Sequence, residues 1–166
     1  MAQLLGQATL TTLSGEAAAS SRLRKNLNCH ADNEARCHRL LNALEPGTYV
    51  PPHCHLDPHK EETLVVIKGR FGVLIFDAAG VVQESIVLSP DAEHFGITIP
   101  VGVFHSMVAL APGSVFFEAK AGPYVPVAAG EKAPWAPAEG EPGCAAYLQK
   151  MLACFSVGAE SKIREA

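Results

Sequence analysis

The sequence predicts an all-β domain, an antiparallel barrel or sandwich, followed by a closing helix. Three observations carry this expectation. From Arg39 onward, short apolar runs alternate with Gly, Pro, Asp and Ser turn signals, the pattern of an all-β domain. The stretch from Gly122 to Gly143 is too rich in Pro and Gly for regular structure. After it, apolar residues recur at Cys144, Tyr147, Leu148, Met151, Leu152 and Phe155, which is one face of a helix.

Taken in order, residues 1–25 mix small and polar side chains with a few leucines and show no clear period. They read as an extension with one helical stretch around Glu16 to Leu23. The runs LLNALEPG, TLVVIKG, FGVLIFDAAG, VVQESIVLSP, FGITIPVG, HSMVAL and APGSVFFEAKAGP then supply the strands. Lys68-Gly69-Arg70 and Asp77-Ala78-Ala79-Gly80 lie between β-rich runs and are expected to be tight connections between antiparallel neighbours. The Pro/Gly-rich stretch should wrap over the barrel surface, with Trp135 as its anchor. The stripe of the closing helix could cover its own barrel or pair with a second subunit, and the first is the more frequent outcome. The expected division is 1–25 as N-terminal extension, 26–122 as barrel, and 123–166 as wrap and C-terminal helix.

A length of 166 residues fits one domain, and 48% hydrophobic with 18% charged residues separates the chain from disordered sequences. With a net charge of −4 and basic residues scattered except at Arg22, Arg24 and Lys25, no stripe is present to bind nucleic acid. Neither a long apolar run nor a basic-then-apolar leader occurs, so no membrane partner is expected and the expected location is the cytoplasm. Cys29, Cys37, Cys54, Cys144 and Cys154 form no Cys-x-x-Cys pair and point to free thiols.

The segment that carries chemistry is Gly47-Thr-Tyr-Val-Pro-Pro-His53-Cys-His55. Two histidines at i and i+2 in an extended chain project to one face, about 6.5–7 Å apart along the strand, while Cys54 faces the other way. Glu62 begins the next strand after the loop Leu56 to Glu61 and brings a carboxylate alongside. A fourth ligand comes from Pro100-Val-Gly102-Val-Phe-His105, where a turn delivers a histidine onto a new strand. This nitrogen and oxygen set suits one divalent transition metal ion, Fe, Mn, Ni, Co, Cu or Zn, rather than Ca or Mg, which prefer oxygen shells. His30, His38 and His94 lie outside these motifs and read as hydrogen-bonded structural histidines.

Gly-x5-His-x-His with Glu-x6-Gly and a later Pro-x-Gly-x2-His resembles the two signature motifs of cupins, an architecture of jelly-roll type. The closer resemblance is to the WbuC family of cupin-fold metalloproteins. It runs through RKNLN at Arg24 to Asn28, PPHCHLDPHKEET at Pro51 to Thr63, GPY at Gly122 to Tyr124 and APWAP at Ala133 to Pro137. The loop between His55 and Glu62 is longer than in most cupins and offers Glu61 and His59 as rival ligands. Glu62 is preferred because it keeps the spacing to Gly69. Arg24, Asn26 and Asn28 fall in a segment the resemblance marks out; they either tie down the N-terminal arm or line the pocket mouth.

The resemblance implies a jelly-roll cupin barrel holding one metal through His53, His55, Glu62 and His105, with His59, Glu61, Asn26 and Asn28 as candidates for a surrounding or substrate-binding role. Members of the WbuC family look linked to surface polysaccharide synthesis, which implies a small polar, sugar-derived substrate. Two readings stay open: a metal-dependent enzyme, such as an isomerase, epimerase or oxygenase, and a non-catalytic module that binds metal or a small ligand. Cupin sheet edges need covering, so a homodimer is one expected arrangement.

Overall fold

The structure is a computed structural model that describes residues 2–156. Helix α1 (Gln7–Ala19) precedes eight strands: β1 (Arg24–Asn28), β2 (Cys37–Leu44), β3 (Glu62–Lys68), β4 (Phe71–Phe76), β5 (Val82–Leu88), β6 (Gly96–Ile99), β7 (Phe104–Ala109) and β8 (Ser114–Ala121). A short 3₁₀ turn (Ala129–Glu131) and helix α2 (Cys144–Ala153) follow. The strands form two sheets, ordered β1-β2-β8-β3-β6 and β5-β4-β7, and every pairing is antiparallel.

The sheets face each other across one core. Leu64 and Val66 of β3 and Phe116 of β8 point inward, as period-two alternation requires, and meet Phe71 and Val73 of β4, Leu88 of β5 and Met107 of β7. Phe71 and Phe116 cross edge to face with ring centroids 5.2 Å apart, so an aromatic contact joins the two layers. Among the described residues no strand of one sheet pairs with a strand of the other. The architecture is therefore two facing sheets rather than a continuously hydrogen-bonded barrel.

Each outer face carries a helix. Leu10, Leu13, Ser14 and Ala17 of α1 recur at helical spacing and are buried; Leu10, Leu13 and Ala17 pack on Leu41, Ala43 and Val115, the outward residues of β2 and β8. Burying Leu10 and Leu13 contributes about 1.5–3 kcal/mol each. The helix lies earlier than the Glu16–Leu23 stretch expected from sequence. Its exposed side is also built of small and weakly polar residues, so the buried stripe has little contrast. The expected boundary after residue 25 falls inside β1, which starts at Arg24 and pairs with β2. Helix α2 covers the outer face of the other sheet, with Leu148 and Met151 in one cluster with Leu74, Phe76 and Val108. Just beyond α2, the Phe155 ring lies over Gly72, where a β-carbon would sit within 2.8 Å of ring atoms.

The two expected tight connections separate. Asp77 to Gly80 joins β4 to its antiparallel partner β5. Lys68-Gly69-Arg70 does not join neighbours: β3 pairs with β6 and β8, whereas β4 belongs to the other sheet. A hairpin and a sheet-changing corner need the same reversal, so their local signatures coincide. Here Gly69 adopts φ +79°, and a β-carbon there would meet the Ser114 backbone at 2.7 Å, so the corner is held against the start of β8.

Candidate metal centre

His53, His55, Glu62 and His105 come together from three places in the chain, with one potential ligand atom of each lying within 4.8 Å of all the others. Glu62 is the first residue of β3 and shares the inward face with Leu64 and Val66. The preceding Glu61 is exposed, as alternation requires, and His59 is exposed in the loop; neither is in the cluster. His105 enters from β7 in the opposite sheet, so the cluster bridges both layers.

The His53–His55 segment belongs to no named strand, yet its backbone is held on two sides. His53 and His105 exchange N–H to carbonyl bonds of 3.0 and 2.9 Å. On the other side Cys54 N–H donates to the Glu131 carbonyl at 2.8 Å, and Ala133 N–H donates to Pro52 C=O at 3.2 Å. The Glu131 carboxylate accepts from Leu56 N–H at 2.9 Å and Ala128 N–H at 2.8 Å, and these backbone donors hold its carboxyl below the usual range. The Pro/Gly-rich wrap thus fixes the two histidines, and its Trp135 packs against Phe76 at 4.9 Å and Phe104 at 6.0 Å. Glu131→Ala should cost about 1–2 kcal/mol and weaken metal retention by about tenfold, as loss of an outer support does. Denaturant midpoints and metal content after desalting measure both; two unchanged values would remove Glu131 from this role.

The hydrogen bonds define the imidazole tautomers. His53 Nδ1 lies 3.0 Å from the Pro51 carbonyl and His105 Nδ1 lies 2.9 Å from the Val103 carbonyl. A carbonyl only accepts, so both Nδ1 atoms carry the proton and both Nε2 atoms keep a lone pair. His105 Nε2 is buried without a hydrogen-bond partner, 3.8 Å from Glu62 Oε2. His55 Nε2 lies 3.0 Å from the same carboxylate oxygen. Burial, with the neighbouring His105, pushes His53 down to about 4, and burial also lowers His105. Burial opposes ionisation of Glu62, but the His55 hydrogen bond and the Lys120 charge outweigh it and hold the carboxyl at about 2. Neutral His53 and His105 rings, each with a lone pair on Nε2, beside an ionised Glu62 are the state in which a transition metal is bound. The orphaned His105 nitrogen is what such an ion would satisfy.

Cys54 is buried, outside the cluster, and burial raises its thiol. His30 and His38 stack on each other with ring centroids 4.1 Å apart and are tied to backbone carbonyls, away from the cluster. Arg24 bonds the Tyr49 carbonyl at 3.0 Å and Glu139 at 2.7 Å, which ties β1 to the wrap, and it also lines the cavity beside the cluster. Asn26 and Asn28 are exposed and bonded to each other at 2.7 Å; neither lines that cavity.

The cavity encloses about 210 Å³ between the sheets. Its floor is apolar, including Leu44, Leu64, Met107 and Phe116, and one wall carries Asn42, Glu118 and Lys120. Sequence reasoning passed over those three. Phe116, Glu118 and Lys120 alternate along β8, which would have put them on one face, but Val115 and Phe117 on the other face are covered as well. When both faces of a strand are buried, periodicity does not tell which one lines a cavity.

Two facing antiparallel sheets with a buried cluster of three histidines and a glutamate between them define a β-sandwich protein with a candidate transition-metal centre. The chain belongs to the family described as "Domain of unknown function (DUF6016)", which matches residues 5–88, just over half of its length. That span includes His53, His55 and Glu62. No curated protein matches the sequence. Among solved structures, the chain is similar to a conserved protein of unknown function from Streptococcus pyogenes, with 13% identity, 75% of this chain and 91% of that chain covered, and a TM-score of 0.50. At that identity the likeness concerns the fold alone. Looser superpositions are found with KdgF from Halomonas sp. (20% identity, 61% and 82% covered, TM-score 0.48) and with a cupin superfamily protein from Desulfitobacterium hafniense DCB-2 (11% identity, 59% and 76% covered, TM-score 0.46).

Proposed function

We propose that this protein is a cupin metalloprotein in which His53, His55, Glu62 and His105 hold one divalent transition metal ion beside a cavity that takes a small polar molecule. The observation that carries the reading is the buried, unpartnered Nε2 of His105, aimed at a carboxylate and two further imidazoles. An ion at this position supplies Lewis-acid polarisation or redox chemistry to an oxygen-containing ligand. His53 and His105 keep their lone pairs available because Nδ1 is tied to the backbone. Glu62 offsets part of the ion's charge.

Polar side chains on the cavity wall favour an enzyme over a closed metal store. The resemblance to WbuC proteins supports a sugar-derived substrate. The alternative, a non-catalytic binding module, shares the metal site and differs only in turnover.

Protein purified without added metal should carry close to one transition-metal ion per chain by elemental analysis. Stripped protein that retains none of Mn, Fe, Ni, Co or Zn after reloading and desalting would refute the reading. Glu62→Gln should weaken retention by about tenfold or more, whereas Glu61→Gln should leave it near wild type, because Glu61 is exposed on the opposite side of the strand. The reverse order would move the ligand by one residue.

A further inference from the structure

Helix α1 covers only part of the outward face of its sheet. Leu10, Leu13 and Ala17 pack on Leu41, Ala43 and Val115 of β2 and β8, with Phe117 at the margin. The sheet continues beyond β8 into β3 and β6. Their outward side chains alternate with the core residues Leu64, Val66 and Ile99, and include Val65, Ile67 and Thr98. Among the described residues, Val65 and Ile67 belong to no apolar cluster, and Ile67 is 43% exposed.

Strand register defines what surrounds this bare area. Arg39 of β2, Ala119 of β8, Thr63 of β3 and Thr98 of β6 stand in one row across the sheet. Val65 lies in the next row, between Phe117 and Gly96. On the other side of the first row the same register sets Glu61, the residue before β3, beside Ala121. Small and β-branched side chains therefore fill the centre, and they let a second sheet approach to the usual stacking distance of about 10 Å.

The charges on this face are few. Lys68, past the bulge that ends β3, turns toward α1, where a β-carbon on Gly113 would meet its Nζ at 3.6 Å and Ser14 Oγ at 3.9 Å. Arg39 and Glu61 are exposed, and neither takes part in an ion pair among the described residues. They flank β8 on opposite sides, two strand spacings or about 10 Å apart across the sheet and one row apart along it. A two-fold axis in the plane of contact, midway between them, exchanges their positions. It sets Arg39 of one copy against Glu61 of the other, twice, around an uncharged centre. The face is thus complementary to itself, as an isologous contact requires.

We propose that the outward face of β8, β3 and β6 is the contact surface for a second copy of this chain, packed about a two-fold axis with Arg39 of each copy opposite Glu61 of the other. Val65 and Ile67 supply the apolar part of the contact, and the two ion pairs at its margins fix the orientation. A partner of one charge sign, such as a polyanion, gains nothing from a face that offers one charge of each sign. The metal centre does not enter this inference, which stands or falls separately from it.

The test is sedimentation velocity of the full chain across a wide concentration series, with reductant present because Cys37 is exposed on the same face. Wild type should sediment as a dimer that dissociates on dilution. Arg39→Glu and Glu61→Arg each place like charges at both margins, and each should weaken association by about tenfold or more. The Arg39→Glu/Glu61→Arg double variant restores opposite charges and should return to within about threefold of wild type. Both positions are exposed, so folding should survive, which denaturant midpoints check. A wild-type chain that stays monomeric throughout overturns the proposal, because the face is then left open or taken by something other than a second copy. A dimer that neither single variant weakens lies on another surface and overturns it as well. Association lost in both single variants and not recovered in the double one overturns the two-fold pairing of Arg39 with Glu61.

Discussion

His105→Ala should lose the metal, with retention falling by two orders of magnitude or more, because the substitution removes a ligand rather than an outer support. His105 Nε2 has no other partner to satisfy it, and its Nδ1 is tied to Val103, so the ring cannot serve another purpose without turning. His53→Ala and His55→Ala should behave alike. Cys54→Ser is the control: the thiol is buried on the other side of the same segment, outside the cluster, so metal content should stay within about twofold of wild type if strand alternation holds. Elemental analysis after desalting reads all four variants. Metal lost from the Cys54 variant and kept in the His105 variant would invert the assignment.

The metal-free protein should be acid-labile well above the range where ordinary carboxylates titrate. His53 is held at about 4 against 6.5 in an unfolded chain, so below pH 6.5 the unfolded state takes up a proton that the folded state refuses. The stability conferred by the neutral ring is complete above pH 6.5 and disappears as the pH falls to about 4, a change on the order of 3 kcal/mol. His105 acts in the same direction. Glu62, lowered from 4.5 to about 2, adds a second loss below pH 4.5. Urea midpoints of chelator-treated protein at pH 7.5, 5.5 and 4.5 should decline in that order, and metal added at pH 5.5 should restore much of the difference, because an ion competes with protons for the same lone pairs. A midpoint that does not move between pH 7.5 and 5.5 would show that the rings are not buried as described.

Part of this arrangement is a local property of the chain. Period-two alternation assigns His53 and His55 to one side and Cys54 to the other, and it separates Glu62 from Glu61, whatever the strands later pair with. The turn before His105 and the apolar runs between Gly and Pro signals are local too, which is why the strands from β2 to β8 and the closing helix α2 were legible in residue order. The N-terminal helix lies earlier than its residue pattern predicts, because its buried stripe, Leu10, Leu13, Ser14 and Ala17, includes a serine and faces a weakly polar exposed side.

What only the tertiary structure decided depends on contacts between residues distant in sequence. Whether Gly69 closes a hairpin or turns a corner between sheets depends on the partners of β3, and those are β6 and β8. The support of the His53–His55 segment by Glu131 crosses more than seventy residues, and no composition signal announces it. The wall of Asn42, Glu118 and Lys120 exists because β2 and β3 both pair with β8, which returns late in the chain to lie between them. The sequence by itself determined which side chains could bind a metal, because alternation is fixed by the backbone. Strand order decided what faces that cluster across the cavity, because adjacency in a sheet is a property of the whole fold.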